Sequence, residues 1–179
     1  LGAEANGDIF VCEPTGNLVK RYRIEERPET AWLKASDIRG ERDFLTSTHE
    51  RFRPVAMTSG PDGTLYIADM YRGLIQHRIF LTTFLRKQIE ERGLEKPLAL
   101  GRIWRITPDG APKAKFDVGL AKASTTELVA KLADANGWVR DTAQRLLVEK
   151  RDPAAAALLR QAARAAAQPL ARVHALWTL

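Results

Sequence analysis

The sequence predicts a mixed fold, in which about two blades of a partial β-propeller, with a helical insert, precede HEAT-like α-helical hairpins. Composition changes near residue 110, from β-branched and aromatic runs separated by turn residues to Ala and Leu at helical spacing. Each half also contains an internal repeat, which is typical of propellers and solenoids. The expected domains are blades over 1–109 with an insert at 70–100, a linker over 110–123, and truncated hairpins over 124–179.

The first half repeats a turn followed by a short strand pattern. Gly7 and Gly63 lie 56 positions apart in turn dipeptides, and each precedes a β-rich run that ends in an acid, Glu13 or Asp69. Short strands bounded by turns at regular spacing are typical of propeller blades. We therefore predict that residues 8–13 and 64–69 are equivalent strands of neighbouring blades.

Further strand patterns complete the two predicted blades. They are partner strands at 17–24 and 101–106, an outer strand at 31–35 and an innermost strand at 54–58. Pro54 suits the first position of a strand, where its missing N–H removes no ladder hydrogen bond.

A long insert separates the second strand of the second copy from its partner. Its apolar residues recur at helical spacing, which predicts an amphipathic helix that ends near Gly93. This apolar stripe comprises Phe80, Leu81, Phe84, Leu85 and Ile89. We expect the insert to pack on the propeller rim and to bury Phe80, Phe84 and Ile89 against the blade.

The second half is punctuated by helix start and stop signals. Ser124 and Glu127 form a capping-box pattern, Asn136-Gly137 breaks the chain, and Asp152-Pro153 begins a further helix. Arg140 and Arg172 lie 32 positions apart, as do Leu147 and Leu179. Hairpins in register at this spacing predict a HEAT-like solenoid that packs Leu128, Leu132, Ala143 and Leu147.

Composition excludes several function classes. The formal net charge is +6 and the pI is about 9.7, but Lys and Arg are scattered among Asp and Glu, which disfavours a nucleic-acid interface. No apolar run is long enough to span a bilayer. Cys12 is the single cysteine, so the chain carries neither a CxxC metal pair nor a CxxCH haem attachment. The two ends predict an interior fragment of a larger protein.

Several motifs, in order, resemble a known family. They lie at 7–19, 52–54, 60–77 and 101–106, with the helical stretches 138–147 and 172–179 after them. The chain resembles the membrane-bound dehydrogenase domain family, bacterial propellers related to the soluble quinoprotein glucose and sorbosone dehydrogenases and often followed by HEAT repeats and a c-type haem domain. The single motif Gly60-Pro61-Asp62-Gly63 is common to many propellers, so the ordered set carries the resemblance.

The resemblance implies a periplasmic or otherwise extracytoplasmic oxidoreductase of sugars or alcohols. It implies pyrroloquinoline quinone as cofactor, and electron transfer to a cytochrome through haem c in a missing downstream domain. The family's catalytic His belongs to earlier blades, so the catalytic residues are expected outside this chain. The alternative is a non-catalytic propeller–HEAT protein that binds a carbohydrate or a protein partner.

An antiparallel meander places the start of the innermost strand beside the end of the second strand. The candidate cofactor-binding residues on this rim are His49, Arg53, Asp69, Tyr71, Arg72 and His77. Arg binds carboxylates in a bidentate fork, and His supplies a base near neutral pH. Structural roles stay open for all six: a strand-end acid such as Asp69 commonly accepts turn N–H bonds. No metal-ligand spacing is present.

Overall fold

The computed structural model describes residues 5, 7–26, 32–38, 40, 42–110 and 119–179. The chain forms two compact units, one of residues 1–58 and 65–109 and the other of residues 59–64 and 110–179. The described part of the first unit contains two antiparallel sheets and one α-helix, and that of the second contains four α-helices. The predicted mixed class is confirmed.

The first sheet is built around a long central strand. Strands β1 (Asp8–Glu13), β2 (Leu18–Glu26) and β3 (Leu33–Asp37) form an antiparallel meander, and the short β4 (Leu45–Thr46) pairs with the start of β2. Ala31, the first residue of the predicted outer strand, lies outside the described residues. At the start of β1, Asp8 accepts hydrogen bonds from Arg21 and Arg23 of β2.

The second sheet has the order β5 (Pro54–Ser59), β6 (Leu65–Asp69) and β7 (Arg102–Ile106). Both predicted repeat segments are therefore strands, β1 and β6. The core of this unit contains residues of both sheets: Val19 and Ile67 are fully buried, and Leu65 is nearly so. Apolar residues of the β-strands thus supply the core of the first unit.

The insert forms a 3-10 turn at Arg78–Phe80 and then helix α1 (Thr83–Glu91). The prediction of one continuous helical stripe from Phe80 is wrong, because Thr82 is an N-cap whose hydroxyl accepts the Leu85 N–H. Ile89 is buried as expected, but Phe80 and Phe84 are each 74% exposed. Phe84 lies about 140° around the helix from Ile89, since each residue turns about 100°, and so faces away from the buried side.

The described helices of the second unit are α2 (Thr125–Lys131), α3 (Gly137–Lys150), α4 (Ala155–Ala165) and α5 (Pro169–Thr178). Helix α2 packs against α3 and α4, and α5 packs against α4 and α3. The predicted capping box is present at Ser124 and Glu127. The four residues predicted to form this core are buried: Leu128, Leu132, Ala143 and Leu147.

The 32-residue repeat extends to side-chain contacts. Arg140 donates from Nη1 to the Asp134 carbonyl at 2.7 Å, and Arg172 donates from Nη1 to the Ala166 carbonyl at 2.9 Å. Each arginine thus binds the carbonyl six residues before it, in the turn that precedes its own helix. Equal spacing therefore yields an equivalent arginine–carbonyl contact before α3 and before α5.

Candidate ligand-binding rim

The antiparallel pairing of β5 and β6 brings the segment 48–53 beside the segment 69–72. The backbone N–H of Arg53 donates to Oδ1 of Asp69 at 2.8 Å, and the N–H of Met70 donates to the Arg53 carbonyl at 2.9 Å. The predicted proximity of the two segments is therefore confirmed. We call the surface formed by residues 48–53, 69–72 and 102 the rim.

Asp69 is a structural acid at the end of β6. Its side chain is buried, and its carboxylate accepts hydrogen bonds from the backbone N–H groups of Arg53 and Tyr71 and from the Trp104 indole at 2.9 Å. These donors come from the start of β5, the end of β6 and strand β7. Asp69 therefore holds three segments together and is turned away from solvent.

Arg53 is also directed into the protein. Its guanidinium donates to four backbone carbonyls, those of Pro14, Thr15, Arg72 and Gly73, at 2.7–3.2 Å. Burial lowers the pKa of this guanidinium from its ordinary value, and the Glu50 carboxylate partly offsets that effect. Arginine remains charged in proteins, so the carbonyl dipoles solvate this cation in place of water. Arg53 thus joins the β1–β2 turn to the start of the insert.

Tyr71 has a left-handed backbone with φ of 47°. This region is unfavourable for a bulky residue and is retained only where the surroundings hold it. Here the Tyr71 N–H is bound by Asp69, and the Arg102 guanidinium lies 3.4 Å from the centre of the Tyr71 ring. The Tyr71 hydroxyl lies 3.0 Å from Nε2 of His49. The result is a contiguous His49–Tyr71–Arg102 cluster.

The hydrogen bonds of His49 define its tautomer. Nδ1 accepts the backbone N–H of Arg51 at 3.2 Å, so a neutral ring carries its proton on Nε2. Nε2 then donates to the Tyr71 hydroxyl, which leaves the Tyr71 O–H proton available to an incoming acceptor. His49 is exposed and Tyr71 is half-buried, so this proton lies at the protein surface.

The other two predicted residues occupy different positions. The Arg72 side chain is exposed, and within the described ranges it has no hydrogen-bond or ion-pair partner. His77 caps the 3-10 turn through Nδ1, which accepts the Ile79 N–H at 3.5 Å, and its ring lies against Phe80. The structure therefore leaves Arg72 available to a ligand and gives His77 a local structural role.

Sequence reasoning missed Arg51 and Arg102. Arg51 donates to the carbonyls of Gly93, Leu94 and Lys96, where the insert returns to the sheet. Arg102 lies directly opposite Asp69 in the β6–β7 register. Pairing the predicted strands 64–69 and 101–106 as antiparallel neighbours puts Arg102 opposite Asp69, so this register is the sequence signal that could have identified Arg102 as a rim residue.

A small cavity of about 310 Å³ adjoins the His49 side of the rim. It is lined by Thr48, His49, Glu50, Arg51, Arg92 and Leu94. Glu50 and Arg92 form an ion pair beside it. No group of acidic, histidine or cysteine side chains able to hold a metal ion occurs in the part of the chain that the structure describes.

Comparison with known families places this rim in a defined domain. Residues 1–110 match the domain of unknown function DUF7133. The chain belongs to this family. The matched DUF7133 range contains both sheets, the insert with α1 and every residue of the rim, and it ends before α2. No curated protein and no solved structure matches the chain.

Proposed function

We propose that the DUF7133 domain is the closing part of a β-propeller and that its rim binds a small anionic ligand. We further propose that it belongs to an extracytoplasmic quinoprotein-like oxidoreductase of sugars or alcohols. The observation that carries the binding role is the His49–Tyr71–Arg102 cluster on a left-handed Tyr71. Strained residues held by their surroundings cluster at functional sites.

The sheet arrangement supports the propeller. Each sheet contains consecutive antiparallel strands, and β1 and β6 begin after equivalent left-handed glycines, Gly7 and Gly63. Side chains of both sheets share one core, as adjacent blades do. The repeated Arg140 and Arg172 contacts likewise support HEAT-like hairpins in the second half.

The donor set on the rim suits a planar ligand that carries carboxylates. Arg72 and Arg102 are exposed, and Arg102 is held on an aromatic ring, which orients its N–H groups. The Tyr71 hydroxyl offers a third donor. Arg53 does not fit this role, because its guanidinium is already bound to four carbonyls.

Pyrroloquinoline quinone fits this donor set, since its carboxylates match arginine forks. When bound, it would supply two-electron oxidation of an alcohol or sugar hydroxyl. Arg72 and Arg102 would hold its carboxylates, Tyr71 would donate a hydrogen bond, and His49 would orient Tyr71. Electron transfer from this site to haem c in another domain, and onward to a cytochrome, is part of the proposal.

Titration of pyrroloquinoline quinone into the purified protein tests the proposal, with binding followed by quenching of protein fluorescence. We expect Arg72→Gln and Tyr71→Phe each to weaken binding about tenfold, the usual scale for a charge-assisted hydrogen bond. Arg78→Gln is the matched control, because Arg78 is an exposed arginine of the insert outside the rim.

The outcomes separate the alternatives. Equal affinity in wild type and both rim variants would remove the binding role of Arg72 and Tyr71. No binding to wild type would reject the quinone as ligand and favour a non-catalytic propeller–HEAT protein. Titration with oligosaccharides would then test carbohydrate binding.

A further inference from the structure

The two ends of the insert come together at Gly73 and Leu94, where it leaves the sheet, and we call this contact the neck. Gly73 and Leu94 touch there, since a Cβ at Gly73 would lie 2.7 Å from both Cβ and the carbonyl oxygen of Leu94. Arg53 binds the Gly73 carbonyl, and Arg51 binds the carbonyls of Gly93 and Leu94. Both ends of the insert are therefore fixed to the segment that precedes β5.

Beyond this neck, large apolar side chains face solvent. Ile79 is 75% exposed, and Phe80 and Phe84 are each 74% exposed. We call residues 77–87 the crest. Isolated exposed apolar residues are ordinary on protein surfaces, but three large ones within six positions form a patch that indicates an interaction surface.

The charge of the insert up to Ile89 has one sign, whereas Glu90 and Glu91 follow at the end of α1. No Asp or Glu occurs from Met70 to Ile89, whereas Arg72, Arg78, Arg86 and Lys87 do. All four of these basic side chains are exposed, and Lys87 lies 3.7 Å from Glu91 in a solvent-exposed i,i+4 pair. An exposed i,i+4 pair is weak, so the crest presents cations around its aromatic residues.

We propose that the crest docks peripherally on an anionic lipid surface. Phe80, Phe84 and Ile79 would enter the interface between headgroups and acyl chains, and Arg78, Arg86 and Lys87 would contact acidic headgroups. Aromatic residues with basic neighbours are the pattern of interfacial membrane segments. A second copy of the chain fits less well, because two crests would place like charges together.

This docking is distinct from membrane spanning. No helix of the described residues is long and apolar enough to cross a bilayer. The fixed neck supports docking, because side chains on an anchored segment lose little conformational freedom when they insert. The binding energy therefore comes from a few inserted side chains and from charge, so the association should be reversible and sensitive to salt.

Vesicle co-sedimentation of the intact protein tests this inference. The probes are vesicles of phosphatidylcholine alone and vesicles with about one third phosphatidylglycerol. We expect binding to the anionic vesicles only, with loss at high salt. Phe80→Ser with Phe84→Ser should reduce binding at least tenfold, and Arg86→Gln with Lys87→Gln should reduce it about 25-fold, near fivefold for each basic residue.

A matched pair of isoleucines provides the control. Ile79 on the crest and Ile103 on β7 are 75% and 74% exposed, so their substitution by Ser removes the same exposed side chain from two places. Only Ile79→Ser should weaken vesicle binding. A tryptophan introduced by Phe80→Trp should shift its fluorescence emission maximum to shorter wavelength when anionic vesicles are added. The tryptophan of Ile103→Trp should show no such shift.

Three results would overturn the proposal. They are no binding to anionic vesicles, binding that Phe80 and Phe84 do not affect, and equal effects of the two isoleucine substitutions. If the crest variants disrupt a complex with an acidic protein but leave vesicle binding unchanged, the surface binds protein and the lipid assignment is wrong. Unchanged circular dichroism of each variant shows that the comparison is made between folded proteins.

Discussion

The backbone N–H of Arg53 and the carboxylate of Asp69 are joined by a 2.8 Å hydrogen bond that connects the start of β5 to the end of β6. The same carboxylate binds the Tyr71 N–H and the Trp104 indole. One buried acid therefore fixes the backbone on both sides of the rim and orients strand β7. The geometry of the candidate site depends on this contact.

Asp69→Ala should lower the free energy of unfolding by about 2–4 kcal/mol, because it leaves three donors without their acceptor. Glu13→Ala is the matched control, since Glu13 holds the same place in the first copy but is exposed and accepts the Thr15 N–H. That change should cost less than about 0.5 kcal/mol. Chemical denaturation measures both, and similar losses would show that Asp69 has no special structural role.

Gly73→Ala should destabilise the first unit by about 1–3 kcal/mol, because the added methyl group meets the backbone of Leu94 at 2.7 Å. Gly101→Ala is the control, since its Cβ would approach no closer than 3.5 Å, an ordinary contact. Thermal unfolding measures the stability of both variants, and Gly73→Ala should unfold at the lower temperature. A neutral Gly73→Ala would mean that the neck of the insert opens without cost.

Leu147→Asp should cost about 3–5 kcal/mol, because Leu147 is 3% exposed within the helical core and an aspartate there has no partner. Val148→Asp adds the same charge one residue later in α3, at a site that is 52% exposed. It should cost less than about 1 kcal/mol. Since both positions lie near the same helix end, the difference measured by urea unfolding isolates burial. Equal costs would place Leu147 at the surface.

The ion pairs of Asp8 should make the stability of the first sheet depend on pH in the acid range. The hydrogen bond from Arg23, followed by the contacts with Arg21, lowers the pKa of Asp8 below its ordinary value of 3.8, against the opposing effect of desolvation. Since the folded pKa is the lower one, the stabilisation is complete above the unfolded pKa and is lost as the pH falls through the folded pKa. Stability should therefore decrease below about pH 4.

Asp8→Asn should remove this part of the pH dependence, so that its stability curve in acid is flatter than that of wild type. Asp141→Asn serves as the control, because the Asp141 side chain is 77% exposed. Unfolding free energies measured across the acid range test the prediction. An Asp8→Asn curve parallel to wild type would show that the ion pair contributes nothing to stability.

The sequence by itself determined the local elements. Strands β1 and β6, the Ser124–Glu127 capping box and the repeated Arg140 and Arg172 positions were all predicted from spacing. These features depend on residues close in sequence, whose periodicity and hydrogen-bonding capacity can be read directly. Antiparallel connectivity of the predicted strands also places the segment of Arg53 beside the end of the strand that carries Asp69.

Tertiary structure alone decided what each rim residue does. Arg53 and Arg72 are both candidate ligand-binding residues by sequence, yet one binds four carbonyls inside the protein and the other faces solvent. Phe84 and Ile89 belong to one apolar pattern, yet only Ile89 is buried. The orientation of a side chain depends on which distant backbone groups and apolar surfaces surround it, and that packing is set by contacts between segments that are remote in sequence.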